Sequence, residues 1–247
     1  MLGSLQNFSY TSQTRHYCPP KPLNNLFHTV TKMVTLKNKK SRAIIDKLRS
    51  KKEKILSKEE IVRTINDYQR VYKTKINILS LWTYLRKDNY IKRILGDWYY
   101  ISSLEERYNH YCNFSEEELV FLTLEKMRLN WYLGLESALK ENKISWQALN
   151  IVIVINNHFS GIKKLGKSKF KFIKTKEKRI NFGMLKSETN NKVAYFYSDP
   201  EKTYIDFLYF YKNKDLKDMI KNLDFKVRKD LLKEYAQSYS KKIQEAI

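Results

Sequence analysis

Four residues in the last fifth of the chain have side chains that could do hydrolytic chemistry: Asp199, Glu201, Lys202 and Asp206. Two or three carboxylates beside a lysine are typical of metal-dependent nucleases, where the carboxylates hold the metal. The same stretch also suits the start of a helix, because Ser198 and Glu201 have the spacing of an N-terminal cap. Ile205 and Leu208 would then be core positions. The helix explains more of the pattern, so we predict no catalytic residues and keep the nuclease as the less favoured alternative.

The cysteines and histidines do not form a metal site in the sequence. Cys18 and Cys112 are far apart, and the four histidines occur singly. A zinc site needs several such ligands at short spacing. Glycine, with six copies, is too rare for phosphate-binding loops. We therefore expect no metal, no cofactor and no enzymatic activity.

The charge balance indicates a polyanionic partner. The chain has 48 Lys and Arg against 26 Asp and Glu, a formal net charge of +22. Nucleic acid is the commonest partner of such a chain and an anionic membrane surface the next, while genomic base bias is the neutral alternative. Neither a secretory signal in residues 1–32 nor an apolar run of transmembrane length is present. We expect a soluble cytoplasmic protein with no membrane partner.

Half of the positive surplus lies between Lys32 and Ile101, which contains 19 basic and seven acidic residues. A first helix is predicted over Arg42–Lys52, with Ile44, Ile45 and Leu48 on its apolar face. A second begins at Ser57, which forms a capping box with Glu60. Asn77 caps a third helix, whose predicted buried stripe is Ile78, Leu81, Trp82 and Leu85. A hairpin with its turn at Gly96 follows. Three helices and a hairpin in this order predict a winged helix over residues 42–102, a fold that binds DNA or, in other proteins, a protein partner.

The polar face of the third helix and the hairpin supply the predicted DNA contacts. Side chains at the helix start meet phosphates, and those on its outward face read base edges. The predicted set is Lys73, Lys75, Asn77, Ser80, Thr83, Tyr84, Lys87, Lys92 and Arg93. Asn77, Ser80 and Thr83 are the candidates for base readout. The alternative is a solvated polar face in which Asn77 serves only as a cap.

The second half reads as alternating helices and short strands. We predict a helix over 115–130 with a capping box at Ser115 and Glu118, and a second helix over 131–142. Strands are predicted over 149–155, 169–174 and 193–197, and a helical end over 215–247. The segment Lys163–Arg179 has nine basic residues and one acidic residue. It is either a solvated strand face or a second nucleic-acid surface, formed by Lys163, Lys164, Lys167, Lys169 and Lys171.

Two motifs in this half carry a resemblance to a known family. Tyr-Leu-Gly-Leu-Glu-Ser-Ala-Leu (132–139) and Tyr-Ser-Asp-Pro-Glu-Lys-Thr-Tyr-Ile-Asp (197–206) follow the predicted winged helix in order. With it they resemble AbiEi-type antitoxins, the transcriptional-regulator half of type IV toxin–antitoxin systems of abortive infection. The resemblance covers about residues 42–210. It departs from the family at the hairpin tip, where Leu95 stands in place of a usual arginine.

We expect an α+β fold with a flexible tail over 1–41 and an N-terminal winged helix-turn-helix over 42–102, and the resemblance implies a mixed α/β antitoxin-like domain over 103–247. It also implies a repressor that binds repeats in its own promoter and counteracts a nucleotidyltransferase-like toxin without a stable complex. A homodimer is compatible with this role. The main alternative is a winged-helix regulator whose second half senses a ligand or dimerises.

Overall fold

The fold is a mixed α+β arrangement in a computed structural model that describes residues 39–144, 150–211 and 226–247. The tail predicted over residues 1–41 lies almost wholly outside the described residues. Within these ranges, no helix combines the length and apolarity that crossing a bilayer requires.

The first part of the described chain contains three helices and three short strands. These are α1 (Lys39–Arg49), β1 (Ile55–Ser57), α2 (Lys58–Val71), α3 (Ile78–Lys87), β2 (Ile91–Arg93) and β3 (Trp98–Ile101). The three helices and the hairpin were predicted, whereas β1 was not. The first helix begins three residues earlier than predicted, with Ile44, Ile45 and Leu48 buried as expected. The glycine predicted at the hairpin turn, Gly96, has a positive φ of 52°, a conformation that glycine adopts without strain.

Local side-chain bonds fix where these helices begin. The Ser57 hydroxyl accepts from the Glu60 amide, and the Glu60 carboxylate accepts from the Ser57 amide at 2.7 Å. The Asn77 side chain accepts from the Ser80 amide at 3.0 Å. Both caps are confirmed, because each depends only on residues within one helical turn.

The small sheet has the strand order β1–β3–β2 and is antiparallel throughout. Paired residues share a face, so β3 sends Tyr99 to one side and Tyr100 to the other. Tyr99 packs in one cluster with α1, α2 and α3. Tyr100 packs in a second cluster with Ile55, Leu95 and residues beyond 102. The sheet is therefore apolar on both faces; the domain boundary at residue 102 stays a prediction.

The rest of the described chain surrounds a six-stranded mixed sheet. Its elements are α4 (Leu104–Tyr108), α5 (Glu116–Lys126), β4 (Trp131–Leu133), α6 (Glu136–Glu141), β5 (Val152–Asn156), β6 (Gly161–Leu165), β7 (Ser168–Lys174), a 3₁₀ turn (Glu177–Arg179), β8 (Met184–Glu188), β9 (Ala194–Ser198), α7 (Pro200–Phe210), α8 (Lys229–Ala236) and α9 (Lys241–Gln244). The strand order is β6–β7–β5–β4–β9–β8. Pairs β5–β7 and β4–β9 are parallel, and the other pairs are antiparallel.

Helices cover both faces of this sheet. Buried residues of α5, such as Leu119 and Phe121, pack on one face, which also contacts the small sheet. Residues of α6 and α7, such as Leu139 and Phe207, pack on the other face. Beyond α7, a further cluster joins Ile205 to α8. The predicted core positions Ile205 and Leu208 are both buried.

The helix predicted over 131–142 is wrong in its first part. Residues 131–133 form β4, which pairs with β5 and β9. Its side chains alternate as strand residues do: Trp131 and Leu133 face α5, while Tyr132 faces α7. The chain turns at Gly134 and Leu135, whose φ is 54°, and only then does α6 begin. Strand pairing between distant segments overrides a local pattern that also fits a helix.

Other predictions for this half hold with shifted bounds. The strands predicted over 169–174 and 193–197 correspond to β7 and β9, and the capping box at Ser115 is confirmed. The strand predicted from residue 149 is β5, although Leu149 itself lies outside the described residues. Residues 215–225 also lie outside them, and 226–247 contains two helices. The strands β6 and β8 were not predicted.

The cap predicted at Ser198 is displaced by one residue. Asp199 is the N-cap of α7, and its carboxylate accepts from the Lys202 amide at 2.7 Å. Pro200 then takes the first helical position, where its missing N–H costs nothing. Ser198 ends β9 and is fully buried, with its hydroxyl 2.7 Å from that of Thr203.

Candidate nucleic-acid interface

A tight turn from Tyr72 to Asn77 positions α3 after α2. The side-chain carbonyl of Gln69 accepts from the Ile76 amide at 2.7 Å, and the Thr74 amide donates to the Gln69 carbonyl at 3.1 Å. Lys73 takes a positive φ of 47° at the sharpest point. Gln69 therefore holds both sides of the turn and leaves the side chains of Lys73 and Lys75 in solvent.

The inward face of α3 is apolar, as predicted. Leu81 and Leu85 are buried, and Trp82 packs edge-on against Tyr99 with 5.0 Å between ring centroids. This packing sets the rotation of the helix about its axis. Five residues then face solvent: Leu79, Ser80, Thr83, Arg86 and Lys87.

Leu79 and Arg86 are exposed on this surface but were absent from the predicted contact set. Leu79 lies four residues before Thr83 and seven before Arg86, so all three fall on one helical stripe. That spacing would have identified them from the sequence.

Two of the predicted base-reading side chains already have intramolecular partners. The Asn77 side chain caps α3, and the Thr83 hydroxyl donates to the Leu79 carbonyl at 3.0 Å. Each retains further hydrogen-bonding capacity, since an amide and a hydroxyl can form several bonds. Ser80 is exposed.

The structure turns Tyr84 away from the outward face. Its hydroxyl lies 3.3 Å from the hydroxyl of Tyr90. Arg107 and Arg49 place their guanidinium groups 3.8 Å and 5.1 Å from the Tyr90 ring centroid. Burial, followed by the hydrogen bond to Tyr90, raises the pKa of Tyr84. Tyr84 thus packs between α3 and Tyr90, the residue that immediately precedes the hairpin.

The two hairpin residues that were predicted to contact DNA, Lys92 and Arg93, point to opposite faces of the small sheet. Lys92 pairs with Tyr100, and Arg93 pairs with Tyr99, so the two side chains lie on opposite faces of the small sheet. Lys92 is half-buried on the face toward α5. Arg93 is exposed and donates to the Gly96 carbonyl at 2.5 Å, with Asp97 at 3.7 Å. The structure does not bring Lys92 to the surface that α3 presents.

The hairpin tip is anchored by Leu95. This residue is 3% exposed and packs with Leu119 and Leu124 of α5. A leucine at this position therefore has a structural role in the core.

The cations around α3 lack ion-pair partners within the described ranges. Arg70, Arg93, Lys126 and Arg228 form salt bridges there. None is described for Lys73, Lys75, Arg86 or Lys87, so their charges remain available to an external anion.

The predicted second basic surface is divided by the β6–β7 hairpin. Lys164 pairs with Lys169, and Lys171 lies two residues further along the same strand, so these three side chains share one face. Lys163 pairs with Phe170 and lies on the opposite face, and Lys167 occupies the turn. β6 is an edge strand of the large sheet. The five lysines therefore do not form one continuous face.

The residues of the nuclease alternative are buried within the core. Asp206 is 1% exposed, and its two oxygens accept from the hydroxyls of Tyr132 at 2.7 Å and Tyr239 at 2.5 Å. Lys202 is fully buried and donates to the Arg179 carbonyl. Burial raises the pKa of Asp206 and lowers the pKa of Lys202. Glu201 bonds to Arg228 at 3.2 Å. This arrangement ties α7 to its neighbours.

Comparison with known proteins gives no family for this chain. No family model matches the sequence, and no curated protein matches it. Across residues 39–144, 150–211 and 226–247, no group of three or more histidine, cysteine, aspartate or glutamate residues is placed to hold a metal ion.

Proposed function

We propose that this chain is a DNA-binding transcriptional regulator in which residues 42–102 form a winged helix that reads duplex DNA with α3. The unpaired basic residues around the start and outward face of α3 carry the proposal: Lys73, Lys75 and Lys87, with Arg86. Lysines near an exposed helix N-terminus suit phosphate groups, and the adjoining polar face suits base edges. The order of three helices and an antiparallel hairpin supports the same function.

The resemblance to AbiEi-type antitoxins extends the proposal. The chain then represses its own operon in the cytoplasm and counteracts a nucleotidyltransferase-like toxin without forming a stable complex with it. The test is to co-express this chain with a nucleotidyltransferase-like toxin encoded by a gene next to its own, and to measure growth. If cells that express the toxin do not grow even when the full chain is co-expressed, the antitoxin role is refuted while the DNA-binding role stands.

The DNA-binding role is tested by titrating the full chain with the duplex upstream of its own gene, followed by fluorescence anisotropy. A scrambled duplex of equal length is the control, and the titration is repeated at several salt concentrations. We expect tighter binding to the upstream duplex and a linear fall of log affinity with log salt. Equal affinity for both duplexes, or none, would contradict specific DNA recognition.

A second candidate, a ligand-sensing regulator, is favoured by one observation. A cavity of about 580 Å³ lies between β1, β3 and α5, a size that small ligands occupy. Its apolar lining includes Trp98, Tyr100, Phe114 and Leu122. A ligand there would contact both the small sheet and α5. The substitution Leu122→Trp, which narrows the cavity, would change DNA affinity in a ligand-sensing regulator and leave it unchanged in a regulator without this site.

A further inference from the structure

Leu79 is the most exposed of the large apolar side chains that the structure describes. It is 80% exposed, on the outward stripe of α3 with Thr83 and Arg86. Leu81 and Leu85 fill the inward face of the same helix. Leu79 therefore contributes little to the core, and its side chain is free to contact another molecule.

Along α3 the surroundings of Leu79 are polar and cationic, whereas the exposed apolar residues Val71 and Tyr72 lie at the end of α2. Ser80 and Thr83 adjoin it on the helix, and Lys75 and Arg86 are exposed nearby along the chain without ion pairs in the described ranges. A protein-binding helix usually presents several apolar anchors in a row along one face. On the outward face of α3, the other exposed residues are polar or charged. This setting favours a partner that is anionic and offers isolated apolar groups.

The major groove of DNA has this chemistry. Phosphates line its edges, and the C5-methyl group of thymine is the apolar group on its floor. We propose that Leu79 contacts the C5-methyl group of a thymine and is a specificity-determining residue for an A·T pair. This inference rests on the proposed DNA-binding function.

The experiment first selects duplexes from a randomised library with the full chain. The enriched duplex is then synthesised with deoxyuridine in place of each thymine in turn, which removes only the methyl group. Affinities are measured for the wild type, for Leu79→Ala and for Leu104→Ala. Leu104 is a matched control because it is 51% exposed and lies on α4 instead of α3.

One deoxyuridine position is expected to weaken wild-type binding by roughly fourfold, the effect of losing one buried methyl group. Leu79→Ala should lose a similar factor on the thymine duplex and nothing further on the deoxyuridine duplex. Leu104→Ala should behave as the wild type on both. Since Leu79 is exposed, its variant should keep the wild-type melting temperature, so that a loss of affinity reports the contact.

The outcomes separate the inference from the function beneath it. If the library yields no enriched duplex, the proposed function fails, and the thymine contact fails with it. If a duplex is enriched but no deoxyuridine position weakens binding, or if Leu79→Ala retains the full methyl effect, the DNA-binding function stands and the Leu79 contact is refuted. Unchanged affinity of Leu79→Ala on every duplex refutes it too and points to a protein partner for this face.

Discussion

The Tyr239 hydroxyl donates a hydrogen bond to the Asp206 carboxylate across 2.5 Å. Asp206 is on α7, and Tyr239 follows α8, 33 residues later in the chain. Two parallel links join the same helices, from Tyr235 to Asp199 at 2.9 Å and from Arg228 to Glu201. The acidic residues that resemble a nuclease site in the sequence thus hold the C-terminal helices in place.

Tyr239→Phe is expected to lower the free energy of unfolding by about 1–3 kcal/mol, because the buried Asp206 carboxylate loses a hydrogen-bond donor. Urea unfolding followed by circular dichroism measures this. Tyr108→Phe is the control, since Tyr108 is 69% exposed. Equal stability of the two variants would mean that the Tyr239 bond contributes nothing.

Leu95→Ala is expected to lower the free energy of unfolding by about 2–5 kcal/mol, the cost of removing a buried leucine side chain. Leu95 is 3% exposed beside α5. The same truncation at Leu104, which is 51% exposed, should cost less than about 0.5 kcal/mol. If chemical denaturation found Leu95→Ala as stable as Leu104→Ala, the hairpin tip would not be anchored in the core.

Lys75→Ala should weaken DNA binding on all sequences and reduce the slope of log affinity against log salt by about 0.9, the loss of one phosphate contact. Arg93→Ala should reduce it less, because Arg93 already bonds to Gly96 and lies 3.7 Å from Asp97. Lys186→Ala on β8 is the charge-matched control. If the slope of log affinity against log salt were the same for Lys75→Ala and Lys186→Ala, Lys75 would not contact DNA.

Glu118→Gln should destabilise the protein at pH 7 and have a smaller effect in acid. Burial alone would raise the pKa of Glu118, but bonds from the Thr189 hydroxyl, the Ser115 amide and Asn191 lower it below its ordinary value of 4.5. The ionised carboxylate therefore contributes stability above pH 4.5, and this contribution is lost as the pH falls through the lower folded value.

The measurement for Glu118 is unfolding by urea at several pH values between 7 and 3. At pH 7 we expect the glutamine variant to be less stable by about 1–3 kcal/mol, with the gap closing toward pH 3. Glu125 lies on the exposed side of the same helix. Its variant Glu125→Gln should have the same free energy of unfolding as the wild type at both pH 7 and pH 3. A gap for Glu118→Gln that stays constant with pH would mean that its ionisation does not stabilise the fold.

Local rules predicted the features of this chain that depend on neighbouring residues. The caps at Ser57, Asn77 and Ser115 follow from side chains and amides three residues apart. The buried stripe of α3 follows from helical spacing, and so does most of the proposed contact surface.

Features that depend on distant segments were missed. The local sequence around Trp131 favours a helix, but this segment forms a strand because β5 and β9 pair with it. Neither the burial of Leu95 nor the inward turn of Tyr84 can be read from local sequence, because α5 and Tyr90 with its two arginines create those environments. The same holds for Lys92 and Arg93, whose faces are set by their register against β3.

The edge strand β6 bears on how copies of this protein meet one another. Its outer side offers backbone groups to any extended chain, and Ile162 is 66% exposed there. Lys163 and Lys164 point to opposite sides of that strand, so a second copy aligning edge to edge would bring like charges together on both surfaces. We therefore expect these lysines to suppress sheet-to-sheet aggregation, and a homodimer to be built on another part of the molecule.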